Sequence, residues 1–163
     1  MGHFLKDLEE SKVAVSIVKT FLDSLHEAAD NVVIADLEKA RQIEGDVEIT
    51  SDCGISYSVE VKYDMMAKRT GNLCFETHNK KGKLTGISST EAHEVHYVVP
   101  DDNGFTLYMF KTEDLRNYLF NVANASRFRS VKGGDRWATF MLLVKREMIE
   151  EDNVAYRVEH IDA

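Results

Sequence analysis

Ser56-Tyr57-Ser58-Val59-Glu60-Val61-Lys62-Tyr63-Asp64 alternates without a break. Tyr57, Val59, Val61 and Tyr63 fall on one side, and Ser58, Glu60, Lys62 and Asp64 on the other. A period of two is that of a β-strand with one buried face. The polar side is the unusual one, because it sets an acid and a lysine two residues apart on the same face. Alone, Glu-x-Lys reads most simply as a solvated strand face. Its meaning depends on what the neighbouring segments bring to it.

The segment before it supplies a partner strand. Asp46-Val47-Glu48-Ile49-Thr50 alternates too, and Ser51-Asp52-Cys53-Gly54 carries turn chemistry. The two strands therefore make a β-hairpin. With the turn centred near Asp52 and Cys53, Asp46 falls opposite Val59 and Glu60, so two carboxylates converge beside Lys62. Asp52 is the rival acid, but its place in the turn points it away.

Further upstream, Ala14, Ile17, Val18, Phe21, Leu22 and Leu25 recur at helical spacing and predict a first helix from about Asp7 to Leu25. Glu10 stands one turn before Ala14, on or beside the buried stripe. It is either an acid of the ordinary kind near a helix N-terminus or a carboxylate aimed into a site. Residues 31–43 fit a short strand through Val32, Val33 and Ile34, or helical spacing through Val33, Leu37 and Ala40.

Downstream, Thr70-Gly71-Asn72 reads as a turn into a third strand, Leu73 to Thr77. Leu73 and Phe75 take one face, and Asn72, Cys74, Glu76 and His78 the other. Glu76 is thus either a third inward acid or a surface glutamate, and Asn72 is a further candidate on the same face. Lys80, Lys81 and Lys83 crowd a loop tip that is a solvated turn or a phosphate contact. Thr85 to Thr90 is polar with one buried candidate, Ile87, and Ser88 to Glu91 fits a capping box that would start a short helix. Two strands, Glu94 to Val99 and Phe105 to Phe110, surround a turn at residues 100–104. Thr112 is placed to cap a helix running to about Val122. Arg127, Arg129, Lys132 and Arg136 form a second basic cluster around Gly133 and Gly134. Thr139 to Val144 predicts a strand, Glu147 to Asp152 a short helix or loop, and the tail from Asn153 an edge strand.

The expected order of helix, five strands, helix and strand implies an α/β (α+β) protein with a central mixed sheet flanked by helices. At 163 residues the chain is long enough for one domain with a real core, spanning residues 1–163. Hydrophobic residues at 44% and charged residues at 29% are those of a soluble globular protein. The sequence lacks an apolar run of membrane-spanning length and a signal-peptide pattern, so an intracellular, cytoplasmic location is expected. Cys53 and Cys74 have no metal-type spacing, and inside a cell they are expected to stay unbridged. Six histidines show no zinc-ligand spacing, and His93 and His96 read as a strand-edge pair. The formal net charge of −8 weighs against a nucleic-acid partner, although acids gathered at a metal are neutralised by it and local basic patches still grip phosphates.

Glu10 on a first helix, Asp46 on a strand, and Glu60-x-Lys62 on its hairpin partner form an ordered set that resembles the PD-(D/E)XK nuclease superfamily, the restriction-endonuclease-like fold. Glu60-Val61-Lys62-Tyr63-Asp64, Thr70-Gly71-Asn72-Leu73-Cys74-Phe75-Glu76, Gly82-Lys83-Leu84-Thr85-Gly86-Ile87 with Thr90, and Lys132-Gly133-Gly134-Asp135 are similar to small phage-type members. The likeness runs from about Glu10 to Trp137. One departure is Gly45 where a proline would precede the first acid.

The resemblance implies Mg²⁺- or Mn²⁺-dependent hydrolysis of DNA phosphodiesters, structure-selective for branched, nicked or single-stranded DNA, as in Holliday-junction resolvases. Asp46, Glu60 and the Val61 carbonyl would hold the metal, and Glu10 would orient a second metal or its water. Lys62 would position the attacking water and stabilise its charge. Lys80, Lys81, Lys83, Arg127, Arg129, Lys132 and Arg136 would contact DNA, with a homodimer as the working unit. The competing expectation is a module of the same fold that binds nucleic acid or protein without catalysis.

Overall fold

The computed structural model describes residues 2–26, 32–37, 43–133 and 138–162, with backbone alone for residues 2–10. Helix α1 (Gly2–His26) leads to strands β1 (Val33–Asp36), β2 (Val47–Thr50) and β3 (Ser56–Tyr63). Helix α2 (Met65–Thr70), strand β4 (Asn72–Asn79) and a 3₁₀ turn (Gly86–Ser88) follow. Then come β5 (Glu94–Pro100), β6 (Gly104–Lys111), α3 (Thr112–Phe120), β7 (Arg129–Gly133), β8 (Thr139–Lys145), α4 (Arg146–Glu151) and β9 (Arg157–Asp162).

Two sheets result. Six strands run in the order β1-β2-β3-β5-β6-β9, and three in the order β4-β8-β7. In the larger sheet β3 and β5 are parallel, while every other neighbouring pair is antiparallel. The fold is therefore α/β with a mixed central sheet, as the sequence pattern implies. The hairpin register pairs Val47 with Val59, which sets Asp46 opposite Glu60. The N–H of Asp46 continues the ladder by donating to the Val59 carbonyl at 2.8 Å.

The alternation of β3 decides which layer each side chain meets. Val59 lies in a core with Ala14, Val18 and Leu22 of α1 and with Val47, Ile49, Val98, Leu107 and Met109. The opposite face of the sheet gives Val95, Tyr97, Val99, Tyr108 and Phe110 to a second core, closed by Leu73 and Phe75 of β4, Val144 of β8 and Leu115 of α3. Burying each large apolar side chain contributes roughly 1.5–3 kcal/mol, so both layers are held firmly. Glu60 and Lys62 point into the side shared with the second sheet rather than to open solvent. Among the described residues no helix is long and apolar enough to cross a membrane. Cys53 and Cys74 are both free thiols.

Several local expectations change. Residues 33–36 take the strand alternative, and Ala40 lies outside the described residues. Alternation along β3 stops at Asp64, whose Oδ1 accepts the N–H groups of Met66 and Ala67 and starts α2, an element the sequence reading did not contain. No helix begins at Ser88: the N–H of Glu91 donates to the distant Ile43 carbonyl at 2.7 Å, so the chain there is extended across the fold. Thr112 is the first helical residue and not the cap. Its N–H is bound to the His93 carbonyl at 3.0 Å, and Lys111 holds the cap position without a side-chain bond. The helix stops at Phe120 because Asn121 is extended and caps a separate 3₁₀ turn, Val122–Asn124. Arg129 to Gly133 is a strand rather than a loose basic segment.

β4 also departs from simple alternation. Glu76 pairs with Met141, yet His78 pairs with Phe140, so a bulge between them shifts the register. Cross-strand partners share a face, and Met141 and Phe140 are adjacent. His78 is consequently turned to the side opposite Glu76, contrary to the single polar face expected from the sequence.

Candidate active site

Asp46 enters the site from the residue just before β2. Its Oδ2 accepts the main-chain N–H of Val61 at 2.8 Å, fixing the carboxylate against the middle of Glu60-Val61-Lys62. Gly45 makes this approach possible. Its φ is +128°, and a Cβ there would lie 2.6 Å from the Val59 carbonyl oxygen. Proline, whose φ is locked near −65°, could not occupy this position. The absent proline is thus a consequence of how the chain reaches Asp46.

Glu60 and Lys62 line a cavity of about 250 Å³ together with Cys74, Glu76, Gly86, Ile87, Thr90 and Tyr97. Thr90 donates from Oγ1 to Glu60 Oε2 at 3.3 Å. Lys62 Nζ stands 4.0 Å from Glu76 Oε1, so the third acid does face the same space. Gly86 lies against β4, where a Cβ would come 2.7 Å from Glu76 Cβ, and its φ of +51° suits glycine. Arg116 of α3 fixes this wall by donating to the Ile87 carbonyl at 2.8 Å and to that of Thr90. Tyr97, the strand partner of Lys62, donates to Asp64 and accepts the Cys74 N–H at 2.8 Å, tying β4 to the end of β3.

The electrostatics are those of two crowded acids. Burial, then the neighbouring charge of Asp46, push Glu60 up to about 7, against weaker opposition from Thr90 and Lys62. Burial also raises Asp46, with the Val61 N–H opposing it and Asp36 adding to it. A cation beside both carboxylates would relieve this cost. Burial pushes the Cys74 thiol up to about 11, so at neutral pH it remains protonated and is no soft ligand. No cluster of three or more His, Cys, Asp or Glu side chains suited to a metal occurs among the described residues. Two carboxylates completed by water or a main-chain carbonyl nevertheless fit Mg²⁺, which keeps several waters and commonly takes one or two carboxylates. The donor set fits a hard divalent cation.

The structure thus brings Asp46, Glu60, Lys62 and Glu76 together. Glu10 belongs to α1, but its side chain is outside the described residues. Asn72 does not line the cavity; its Nδ2 donates to the Thr70 carbonyl at 2.9 Å and shapes the turn into β4. Asp52 is exposed in the hairpin turn, away from the acids. Thr90, Tyr97 and Arg116 are site-building residues that periodicity did not single out, because each acts through contacts far along the chain.

The basic residues divide. Lys80, Lys81 and Lys83 surround the turn after β4, and Lys132 is placed at the same end of the small sheet, opposite Phe140. Arg127 is at the other end, in a 2.7 Å ion pair with Asp152. Arg129 is exposed on β7, and Arg136 lies outside the described residues. No match to the chain was found among protein-family models, curated proteins or solved structures.

Proposed function

We propose that the chain is a Mg²⁺- or Mn²⁺-dependent DNA endonuclease of PD-(D/E)XK type, selective for branched, nicked or single-stranded DNA. The observation that carries this reading is the fastening of Asp46 to the N–H of Val61, between Glu60 and Lys62. It sets Asp46 beside Glu60, which lines the cavity together with Lys62, and both acids carry raised pKa values. A helix followed by an antiparallel three-strand meander, β1-β2-β3, agrees with the helix-strand-strand-strand order of that superfamily.

Asp46 and Glu60, with the Val61 carbonyl, would hold the divalent cation, and Glu10 would serve a second ion or its water. When bound, the cation supplies Lewis acidity toward the scissile phosphate and favours deprotonation of water. Lys62 Nζ donates to the attacking water and offsets the negative charge that develops on the phosphate. Glu76 holds that ammonium over the cavity. Thr90 keeps one Glu60 oxygen oriented. One P–O bond forms to the water oxygen, whose proton passes to solvent, while the P–O bond to a sugar oxygen breaks and that oxygen leaves with a proton from solvent. Lysines beyond β4 and on β7 would hold the backbone phosphates despite the acidic net charge.

The test is incubation of the purified chain with supercoiled, linear and four-way-junction DNA in Mg²⁺, Mn²⁺ or EDTA. Cleavage that needs the divalent ion supports the reading. DNA binding without cleavage under every condition would move it to the non-catalytic module.

A further inference from the structure

A second cavity, of about 460 Å³ and mostly apolar, lies between the small sheet and the end of α3. Its lining includes His78, Leu84, Phe120 and Val122. Three of these are apolar yet open to solvent: Leu84 is 56% exposed, Phe120 49% and Val122 89%. The bulge in β4 that separates Glu76 from His78 turns the His78 ring toward this groove.

His78 is backed by a column of side chains. Its ring stacks on Phe140 with centroids 4.5 Å apart and planes within 9°. Phe140 sits on the central strand, paired with His78 on one side and Lys132 on the other, and Lys132 Nζ lies 5.1 Å from its ring centre. Thr77 fixes the arrangement: its hydroxyl meets His78 Nδ1 at 2.9 Å and lies 3.1 Å from the Phe140 carbonyl. Phe140 is therefore covered on both sides, while His78 lies between Phe140 and its bridge partner Leu84, and His78 and Leu84 both line the groove. Lys80, Lys81 and Lys83 belong to the turn that leaves β4 just past His78 and returns at Leu84.

We propose that this groove receives an unpaired nucleobase of a DNA strand, seated against His78 and Leu84, with the adjoining lysines on its phosphates. Aromatic rings bordered by cations are the usual means of holding single strands without reading sequence. The apolar walls suit the faces and edges of a base, and the four lysines at this end of the sheet complement its backbone. The groove also stands next to the acidic cavity, since the Gly86–Ser88 turn contributes Gly86 and Ile87 to one and Ser88 to the other. The inference rests on the DNA reading and narrows its substrate class to DNA with an unpaired end or flap.

The test measures affinity in EDTA, so it does not depend on cleavage. The probes are one fluorescent duplex carrying a three-thymine overhang and the same duplex with abasic sugars in the overhang, which keep every phosphate and lack the bases. The wild-type chain should bind the thymine form about tenfold tighter or more. His78→Leu should abolish that preference with little change in binding to the abasic form, and His78→Tyr should retain it. Equal affinity of the wild type for both probes overturns the proposal without any variant being needed. So does a preference that His78→Leu leaves intact while circular dichroism shows both proteins folded. Sedimentation reports the competing occupant: a dimer that Val122→Asp dissociates, together with no base preference, makes the groove a contact between copies. Cleavage of duplex DNA without base preference would retain the nuclease reading and reject this one; base preference without cleavage would do the reverse.

Discussion

Asp46 Oδ2 accepts the N–H of Val61 at 2.8 Å, so the acid at the start of β2 is fastened to the residue between Glu60 and Lys62. The bond makes the hairpin and the candidate site one structural unit. Asparagine retains an oxygen for that N–H but not the charge. Asp46→Asn should therefore melt within about 1 kcal/mol of wild type while losing the rise in melting temperature that Mg²⁺ or Mn²⁺ gives the wild type. Differential scanning calorimetry with and without the ion, at fixed pH, makes the comparison. An undiminished rise in the variant would remove Asp46 from the metal site.

Glu60 sets a pH dependence with a definite sign. Its pKa is raised from 4.5 to about 7 by burial, then by Asp46. Its contribution to folding is complete below the unfolded value and is lost as pH climbs through 7. In EDTA the stability of wild type relative to Glu60→Gln should fall between pH 4.5 and 7.5, by up to about 3 kcal/mol. Urea unfolding of both proteins across that range checks it. A difference that stays flat would show that Glu60 is solvated like an ordinary surface acid.

Gly45 carries a backbone demand rather than a chemical one. At φ +128°, with Val59 O 2.6 Å from the place of a Cβ, Gly45→Ala must displace backbone. A loss of about 2 kcal/mol or more is expected from the combined strain and clash. Gly54, whose added Cβ would meet nothing within 4 Å, is the control for positive φ alone. Equal losses at the two positions would discount the contact with Val59.

Charge removal should separate the two basic groups. Lys80, Lys81, Lys83 and Lys132 share one end of the small sheet, so neutralising each should lower the salt slope of DNA affinity by about one. Arg127 is paired with Asp152, so Arg127→Gln should alter the slope little. Fluorescence anisotropy from 50 to 200 mM salt, on the order of the range where such slopes are resolved, gives both numbers. A slope that Arg127→Gln lowers as much as Lys81→Gln does would reject the division.

The hairpin was legible because β2 and β3 alternate and the turn between them is marked by Asp52 and Gly54. Its register followed from the turn position alone, and with it the approach of Asp46 to Glu60. Strand pairing at a distance was not legible. Nothing local in Leu73–Thr77 says that β4 leaves the main sheet for β8, and the bulge that turns His78 is a register event set by Phe140 and Met141. Thr112 misled because a capping residue type stands one position inside the helix, where its backbone is already helical and Lys111 holds the cap position. Thr90 and Arg116 meet the site through contacts 26 to 30 residues away, and no period in the sequence encodes those.

Lys62 offers the most direct measurement. Its side chain is 40% exposed and its nearest acid, Glu76, is 4.0 Å away, so Lys62→Ala should fold as wild type does. The carboxylates that would hold the ion are untouched. Cleavage of whichever of a four-way junction, a nicked duplex, a 5′- or 3′-flap and a single strand the wild type cuts fastest in Mg²⁺ should fall by ~10²–10³ in rate, with the metal-induced rise in melting temperature preserved. A variant that cleaves at the wild-type rate, or a wild-type chain that leaves all of these substrates intact in both Mg²⁺ and Mn²⁺, would contradict the account.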